Sequence, residues 1–408
     1  MKKLISLFLA LCLTLGLGVT ALADNTPADS APAPDKPGTL SFENLESRMR
    51  TSCASVMALE EGAATVDSID YTKMFEQSKD SLEKLADSLF FLSGDPTMAG
   101  FTSSLKSAQE SLADSLEDMT DGTFRRDNEL TKHQMHNLAN QVICGAQKLY
   151  ISICTYEQQL SDAERSLAAL DRALTAAEKS FQLGQISALQ LQQLRSSRAS
   201  AASKIETLSM AIANMKSSLL SMLGEDPSGS LQLMGLPEVP EASVAAMNYE
   251  ADLAAATEKS YDLHSADVVL ARAKETWEDS AEDFHYGNFV GDRYRYDMAL
   301  HTWQAAQYTN TSAHQSFTLS FLTAYRAVSN AKQVLDAAQT ALEYQKQSFL
   351  SSQTQFNRGM ISANDLKDAE DALATAESAV FSAKVDYFTA WNTYSWLVRT
   401  GLSASTAN

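Results

Sequence analysis

The sequence predicts an all-α fold: two tandem copies of a long helical hairpin, packed lengthwise as an elongated coiled-coil or α-barrel protomer with few strands or none. Three observations carry this. Gly and Pro are scarce, 16 and 8 in 408 residues, and they cluster where helices should stop. Between those stops, apolar residues recur at helical spacing over very long runs. One motif then occurs twice: Phe181-Gln-Leu-Gly184-Gln-Ile186-Ser187 and Phe356-Asn-Arg-Gly359-Met-Ile361-Ser362, 175 residues apart.

Residues 1–23 read as a secretory signal. Lys2 and Lys3 precede the mostly apolar run Leu4 to Leu17, and Ala21-Leu22-Ala23 suits a signal peptidase. Cys12 lacks the small preceding residue of a lipoprotein signal, so no lipid anchor is expected. Residues 24–40 carry Pro27, Pro32, Pro34 and Pro37 and read as a disordered leader. No later stretch offers 18 uninterrupted apolar residues, so no transmembrane helix is expected.

The first repeat spans 41–223. Phe42 to Glu61 is helical with a break near Gly62, and Tyr71 to Leu92 follows. Phe101 to Met119 comes next, and Gly122 marks another break. From there to Gly184 no Pro and one Gly, Gly145, appear. Leu149, Ile153, Leu160, Leu167, Leu170 and Leu174 keep a helical apolar period. Ser187 to Leu223 returns as helix and Gly224 ends it. Residues 224–244, with Pro227, Pro237 and Pro240, form a linker. The second repeat spans 245–401: Ala245 to Asp283, a short break, an uninterrupted helix from Asp292 to Arg358, then Ala363 to Val398. Residues 402–408 are a tail. At one offset of 175, Tyr150 falls on Tyr325, Leu160 on Leu335, Ala163 on Ala338, Gly184 on Gly359 and Ala199 on Ala374. Helices this long cannot be buried in one globular core and must pack along their length.

Charge and motifs exclude several functions. Loss of Lys2 and Lys3 with the signal takes the net charge from -19 to -21. No basic stripe exists for nucleic acid. Cys53, Cys144 and Cys154 remain; the latter two are about 15 Å apart on one helix, too far to pair. All three read as buried thiols. His133 and His136 share a helix face without a third metal ligand nearby in sequence. No G-x-S-x-G, P-loop or HExxH motif appears, so no enzyme, metal or cofactor is expected.

At each tip, Gly supplies the left-handed turn and Ser187 or Ser362 can cap the next helix. Capping explains Gly and Ser but not why both tips keep Phe-x-x-Gly-x-Ile-Ser-Ala; a shared partner surface does. Past the second tip, Asp365 and Asp368 stand i,i+3 on one helix face, where threefold repetition would focus a field favouring cations. Acids are also favoured in any first helical turn.

With signal, repeat, long helices and tips together, the sequence resembles the TolC family of outer-membrane efflux proteins over nearly the whole mature chain. The resemblance implies a homotrimeric duct serving an efflux or type I secretion system, with passive conduction. It implies that Leu183, Gly184, Gln185, Ile186 and Ser187, with Arg358, Gly359, Met360, Ile361 and Ser362, contact a periplasmic adaptor protein fed by an inner-membrane transporter. It implies Asp365 and Asp368 as aperture acids and an outer-membrane location. Gln190 departs from the family, standing where an acid is common. So does the far end: residues 284–294 hold a tight turn rather than two membrane strands, and 93–126 read as broken helix. Aromatics gather there: Trp277, Phe284, Tyr286, Phe289, Tyr294, Tyr296, Trp303 and Tyr308. They read as helix-end packing or an interfacial belt. The alternative function is a non-conducting coiled-coil or adaptor-like protein of the cell envelope.

Overall fold

The computed structural model describes residues 35–92, 99–286 and 291–402. The signal at 1–23, the start of the leader and residues 403–408 lie outside them. In chain order the elements are β1 (Thr39–Leu40), α1 (Phe42–Ser52), α2 (Ala54–Asp67), α3 (Tyr71–Leu92), α4 (Ala99–Thr120), α5 (Thr123–Gln182) and α6 (Ala188–Met222). Then follow β2 (Gln232–Leu233), α7 (Glu241–Ala245), α8 (Tyr249–Lys259), α9 (Tyr261–Tyr286), α10 (Gly291–Asn357) and α11 (Ala363–Thr400). Apart from the two-residue strands, the regular elements of the described residues are helices, as the sequence predicts. Helix α10 has 67 residues, about 100 Å of rise. Among the described residues, no helix is long and apolar enough to cross a membrane.

Each repeat begins with an 11-residue helix, α1 or α8. A one-residue break follows. Cys53 (φ -77°, ψ 111°) and Ser260 (φ -71°, ψ 116°) hold nearly the same extended backbone there. A second helix, α2 or α9, then runs beside the long helix α5 or α10. The return helices α6 and α11 come back from the tips and end against those breaks. Gly224 (φ +71°) ends α6 so close that an added Cβ would lie 2.9 Å from the Ser52 carbonyl oxygen. Gly401 (φ +68°) ends α11, and its Cβ would lie 2.4 Å from the Ser260 backbone nitrogen. Only glycine satisfies both the left-handed turn and the contact.

Three sequence expectations need correction. The first break falls at Cys53, and α2 runs straight through Gly62. That glycine permits a close approach instead: its Cβ would meet Met135 Sδ of α5 at 2.9 Å. Ala245 to Asp283 is not continuous, because Ser260 interrupts it. The leader does not stay disordered up to Leu40. Asp35 accepts from the Ser41 N–H and the Asn44 side chain, each at 2.9 Å. Burial alone raises its carboxyl pKa, and those bonds, with Arg48 nearby, bring it below the ordinary value. Strand β1 pairs in parallel with β2 of the linker, Thr39 with Gln232 and Leu40 with Leu233.

Tyr150 holds this pair from below. Its fully buried hydroxyl donates to the Gly235 carbonyl (2.8 Å), lies 3.1 Å from the Leu40 carbonyl and accepts from the Met234 N–H (3.2 Å). Phe42 packs edge-on against both Tyr150 and Phe388, with centroids 5.5 and 4.7 Å apart. The first core gathers Leu45, Ile143, Ile153, Leu219 and Trp396; the second gathers Phe317, Phe321, Val328, Tyr394 and Leu397. Cys53, Cys144 and Cys154 are buried and free. Burial pushes the Cys154 thiol up to about 12, so it is protonated and unreactive at neutral pH.

The two repeats join through α5 and α11. Gln147 Oε1 accepts from Trp396 Nε1 at 2.7 Å and Asn392 Nδ2 at 3.0 Å. Nearer the tips, Asp162 meets Ser378 and Arg172 pairs with Asp371.

The glycine closures give the first prediction. Gly359→Ala at the open second tip meets no atom within 4 Å and loses about 1–2 kcal/mol of backbone preference. Gly401→Ala adds a main-chain collision and loses about 2–5 kcal/mol in all. Urea denaturation followed by circular dichroism ranks the two; equal losses would show that the closure at Ser260 is slack.

Candidate docking tips

The tips are built twice by the same local chemistry. Helix α5 ends at Gln182 and α10 at Asn357, and the return helices start at Ala188 and Ala363. Both offsets equal the sequence repeat. Gly184 and Gly359 both have φ +71°. The N–H of Gln185 reaches back to the Ser180 carbonyl and that of Met360 to the Gln355 carbonyl, each at 2.9 Å. This six-to-one bond satisfies carbonyls that a helix end leaves open.

Ser187 and Ser362 then cap α6 and α11. Their hydroxyls accept from the Gln190 and Asp365 N–H, each at 3.2 Å. The box closes in return: the Ser187 N–H donates to Gln190 Oε1 (2.9 Å) and the Ser362 N–H to Asp365 Oδ2 (2.8 Å). Gln190 therefore does at the first tip what Asp365 does at the second. Hydrogen bonding from the Ser362 backbone and hydroxyl holds the Asp365 carboxyl below the ordinary aspartate value.

The remaining tip residues face outward. Leu183 is 74% exposed and Met360 68%. Gln185 and Arg358 are exposed, and Ile186 and Ile361 are half-buried. Asp368 is exposed one turn beyond Asp365. Below the first tip, Arg195 pairs with Glu178 (3.0 Å) and Arg198 with Asp171 (2.5 Å), tying α6 to α5.

The other candidates resolve into packing. His133 meets the His264 ring at 5.7 Å and the Lys259 carbonyl at 3.1 Å; burial holds its pKa below the ordinary histidine value. No cluster of three metal-ligating side chains forms among the described residues. Trp277 stacks on Trp303 at 4.5 Å and Phe284 on Tyr296 at 5.4 Å, joining α9 to α10. Tyr294 and Tyr308 stay exposed. Phe289 and the Tyr286 side chain lie outside the described residues. Sequence reading passed over Phe90, Phe91 and Phe101, which stand exposed near the end of the α3/α4 hairpin. Their signal was an apolar cluster off the heptad stripe.

Residues 289–395 match the family model described as outer membrane efflux protein. Similar solved structures include the outer-membrane channel OprN, 13% identical over 93% of this chain and 99% of that one, with a TM-score of 0.53. The CmeC outer membrane channel of Campylobacter jejuni is 10% identical over 96% and 94%, with a TM-score of 0.52. The outer membrane protein VceC of Vibrio cholerae is 12% identical over 72% and 76%, with a TM-score of 0.50. No curated relative matches the sequence. Residues 289–395, in the second repeat, are thus similar to the outer membrane efflux protein family. The helices of the chain have the fold of the TolC-type channels.

The two caps differ in their response to acid. The folded pKa of Asp365 lies below its unfolded value of 3.8. Its contribution is therefore complete above that value and is lost as pH falls through the lowered folded pKa. Gln190 does not titrate. Acid titration by NMR should release the Ser362 amide while leaving the Ser187 amide bonded; simultaneous release would refute unequal caps.

Proposed function

We propose that the chain is the duct component of a tripartite efflux or type I secretion system. Three copies close a tube, the two tips of each dock a periplasmic-type adaptor protein, and an inner-membrane transporter delivers the substrate. Conduction is passive. The chain is exported through residues 1–23 and works in the cell envelope, at the outer membrane. The observation that carries this reading is the duplicated tip: two turns with the same glycine angle, bonds and capping box, each at the far end of a long hairpin.

Burial supports assembly. Along α5 the buried residues lie mostly between Asn137 and Cys154, with Ala163 alone nearer the tip. The arms beyond are half-exposed, and α10 leaves Val334, Tyr344 and Leu350 open. A second copy along each flank would bury these side chains. Docking then falls to Leu183, Gly184, Gln185, Ile186 and Ser187 and to Arg358, Gly359, Met360, Ile361 and Ser362. Asp365 and Asp368 would ring the aperture, Asp368 with its carboxylate unused by the cap.

Two measurements test the proposal. Sedimentation of the mature chain should give three times its monomer mass. Benzoylphenylalanine placed at Leu183 or Met360 in cells should crosslink to an adaptor, and at Tyr344 to another copy. A stable monomer or dimer, or tip crosslinks confined to other copies, would instead favour a non-conducting coiled-coil protein.

A further inference from the structure

Within the chain, α5 of the first repeat packs against α9 and α11 of the second. On the α9 side the contact is charged and aromatic. Arg126 pairs with Glu275 at 2.9 Å, and Asp127 pairs with Arg272. The His133 ring meets those of Tyr261 and His264, with centroids 5.6 and 5.7 Å away. Nearer the tip, Arg172 pairs with Asp371 of α11.

The repeat supplies the same two faces a second time, on opposite flanks of the chain. Helix α5 matches α10 at the offset of 175. The α3/α4 hairpin, inserted between α2 and α5, has no counterpart between α9 and α10. Helix α2 therefore matches α9 at a larger offset, the 207 residues that separate Cys53 from Ser260. On α10, His301, Thr302 and Tyr308 then stand where α5 has Arg126, Asp127 and His133. At α2, Ala54, Met57, Thr65 and Ser68 stand where α9 has Tyr261, His264, Arg272 and Glu275. All seven counterparts are exposed, Tyr308 by 78% and Met57 by 44%. None of the four ionised side chains is kept. From Met298 to Tyr325, α10 carries no Asp, Glu, Lys or Arg, whereas the matching residues 123–150 carry six. Nearer the tip, Arg172 and Asp371 give way to Gln347 and Ser196, both exposed.

We propose that this uncharged face of α10 packs on α2 of a second copy, with the Tyr308 ring lodged against Met57 and Ala54 as His133 lodges against His264 and Tyr261 inside one chain. Three features select a second copy. Each chain carries both halves of a contact that it already makes internally, and each half is open. The bulk is also exchanged across it: α10 gains a larger ring, Tyr308 for His133, where α2 loses one, Ala54 for Tyr261. Such a trade conserves the volume that fills the gap. Finally, the two faces differ, so the contact is heterologous and closes only as a ring of copies. A large exposed ring on a helix face without charges marks a surface that association covers. The inference rests on the assembled duct proposed above and names which faces meet in it.

The test uses the full mature chain. Met57→Cys combined with Tyr308→Cys, treated with a short bismaleimide, should give covalent dimers and trimers on a denaturing gel. Either substitution alone should stay monomeric, and so should wild type, whose Cys53, Cys144 and Cys154 are buried. Tyr308→Asp should weaken the trimer at least about tenfold in sedimentation, because it buries an unpaired charge at every seam. Its helix content should not change, since Tyr308 is exposed in the single chain. Dimers from Tyr308→Cys alone would pair α10 with α10 and overturn the proposal. A trimer by sedimentation whose double variant gives no crosslink, or which Tyr308→Asp leaves intact, overturns it and leaves the duct standing. A chain that sediments as a monomer overturns both. Crosslinks that stop at the dimer would support this contact and count against a closed tube.

Discussion

Main chain against main chain closes each repeat. The left-handed glycine ending α6 meets the carbonyl of Ser52, and the one ending α11 meets Ser260. At both places the facing helix is interrupted for one residue, Cys53 or Ser260, in almost the same backbone conformation. A side chain at either glycine would push the return helix away. That contact sets the axial position of α6 and α11 against their leading helices. Helices of 35 and 38 residues are stiff enough to carry the position outward, so the tips inherit it. The reach of each tip is therefore fixed by an ångström-scale contact at the opposite end of the hairpin.

Closure alone would leave two independent hairpins. Their union combines apolar burial, with Val385, Phe388 and Trp396 of α11 packed into the first core, and polar groups with little exposure to water. Gln147 is 4% exposed and its carbonyl takes both the Trp396 indole and the Asn392 amide. A buried acceptor with two donors is fully used, and either donor alone would be costly to strand. Such a tie also fixes register, since sliding α11 by one turn separates all three groups. The pairs farther out, Arg172 with Asp371 and Asp162 with Ser378, are half-exposed and contribute little energy. They keep the hairpins aligned where apolar burial has run out. Cohesion is thus concentrated near the closures, and the outer arms present half-exposed stripes to whatever packs beside them.

Much of this was legible in the sequence, for definable reasons. The tip repeat showed because left-handed glycine and a capping serine leave few alternatives, so identical residues recur at one offset. The long helices showed because nothing in them breaks the period. The breaks at Cys53 and Ser260 did not show. Neither residue is a breaker, and the interruption is enforced by the glycine of a distant helix. Gly62 misled for the converse reason: it accommodates Met135 of α5, not a turn. The Asp35 cap and the β1–β2 pair were hidden because Tyr150, 110 residues beyond Leu40, supplies the bond that orders them. The offset of 175 itself concealed the correspondence of α1 with α8, since the α3/α4 insertion shifts everything before it.

The capping boxes also clarify what the two tips can differ in. Gly, Ile and Ser are shared because the turn requires or favours them. Gln190 and Asp365 differ in charge yet make the same bonds, so the cap absorbs that difference. What remains are the positions flanking each glycine. The first tip reads Leu183-Gly-Gln185 and the second Arg358-Gly-Met360. Each exposes one large apolar side chain and one polar one, but on opposite sides of the glycine. The backbones are equivalent and the surfaces are exchanged. A partner that met both tips with copies of one site would find its apolar contact displaced by two residues between them. Any site serving both must accept an apolar group on either side of the turn. Flexible leucine- or methionine-rich grooves meet that requirement, whereas a rigid pocket shaped to a single residue does not.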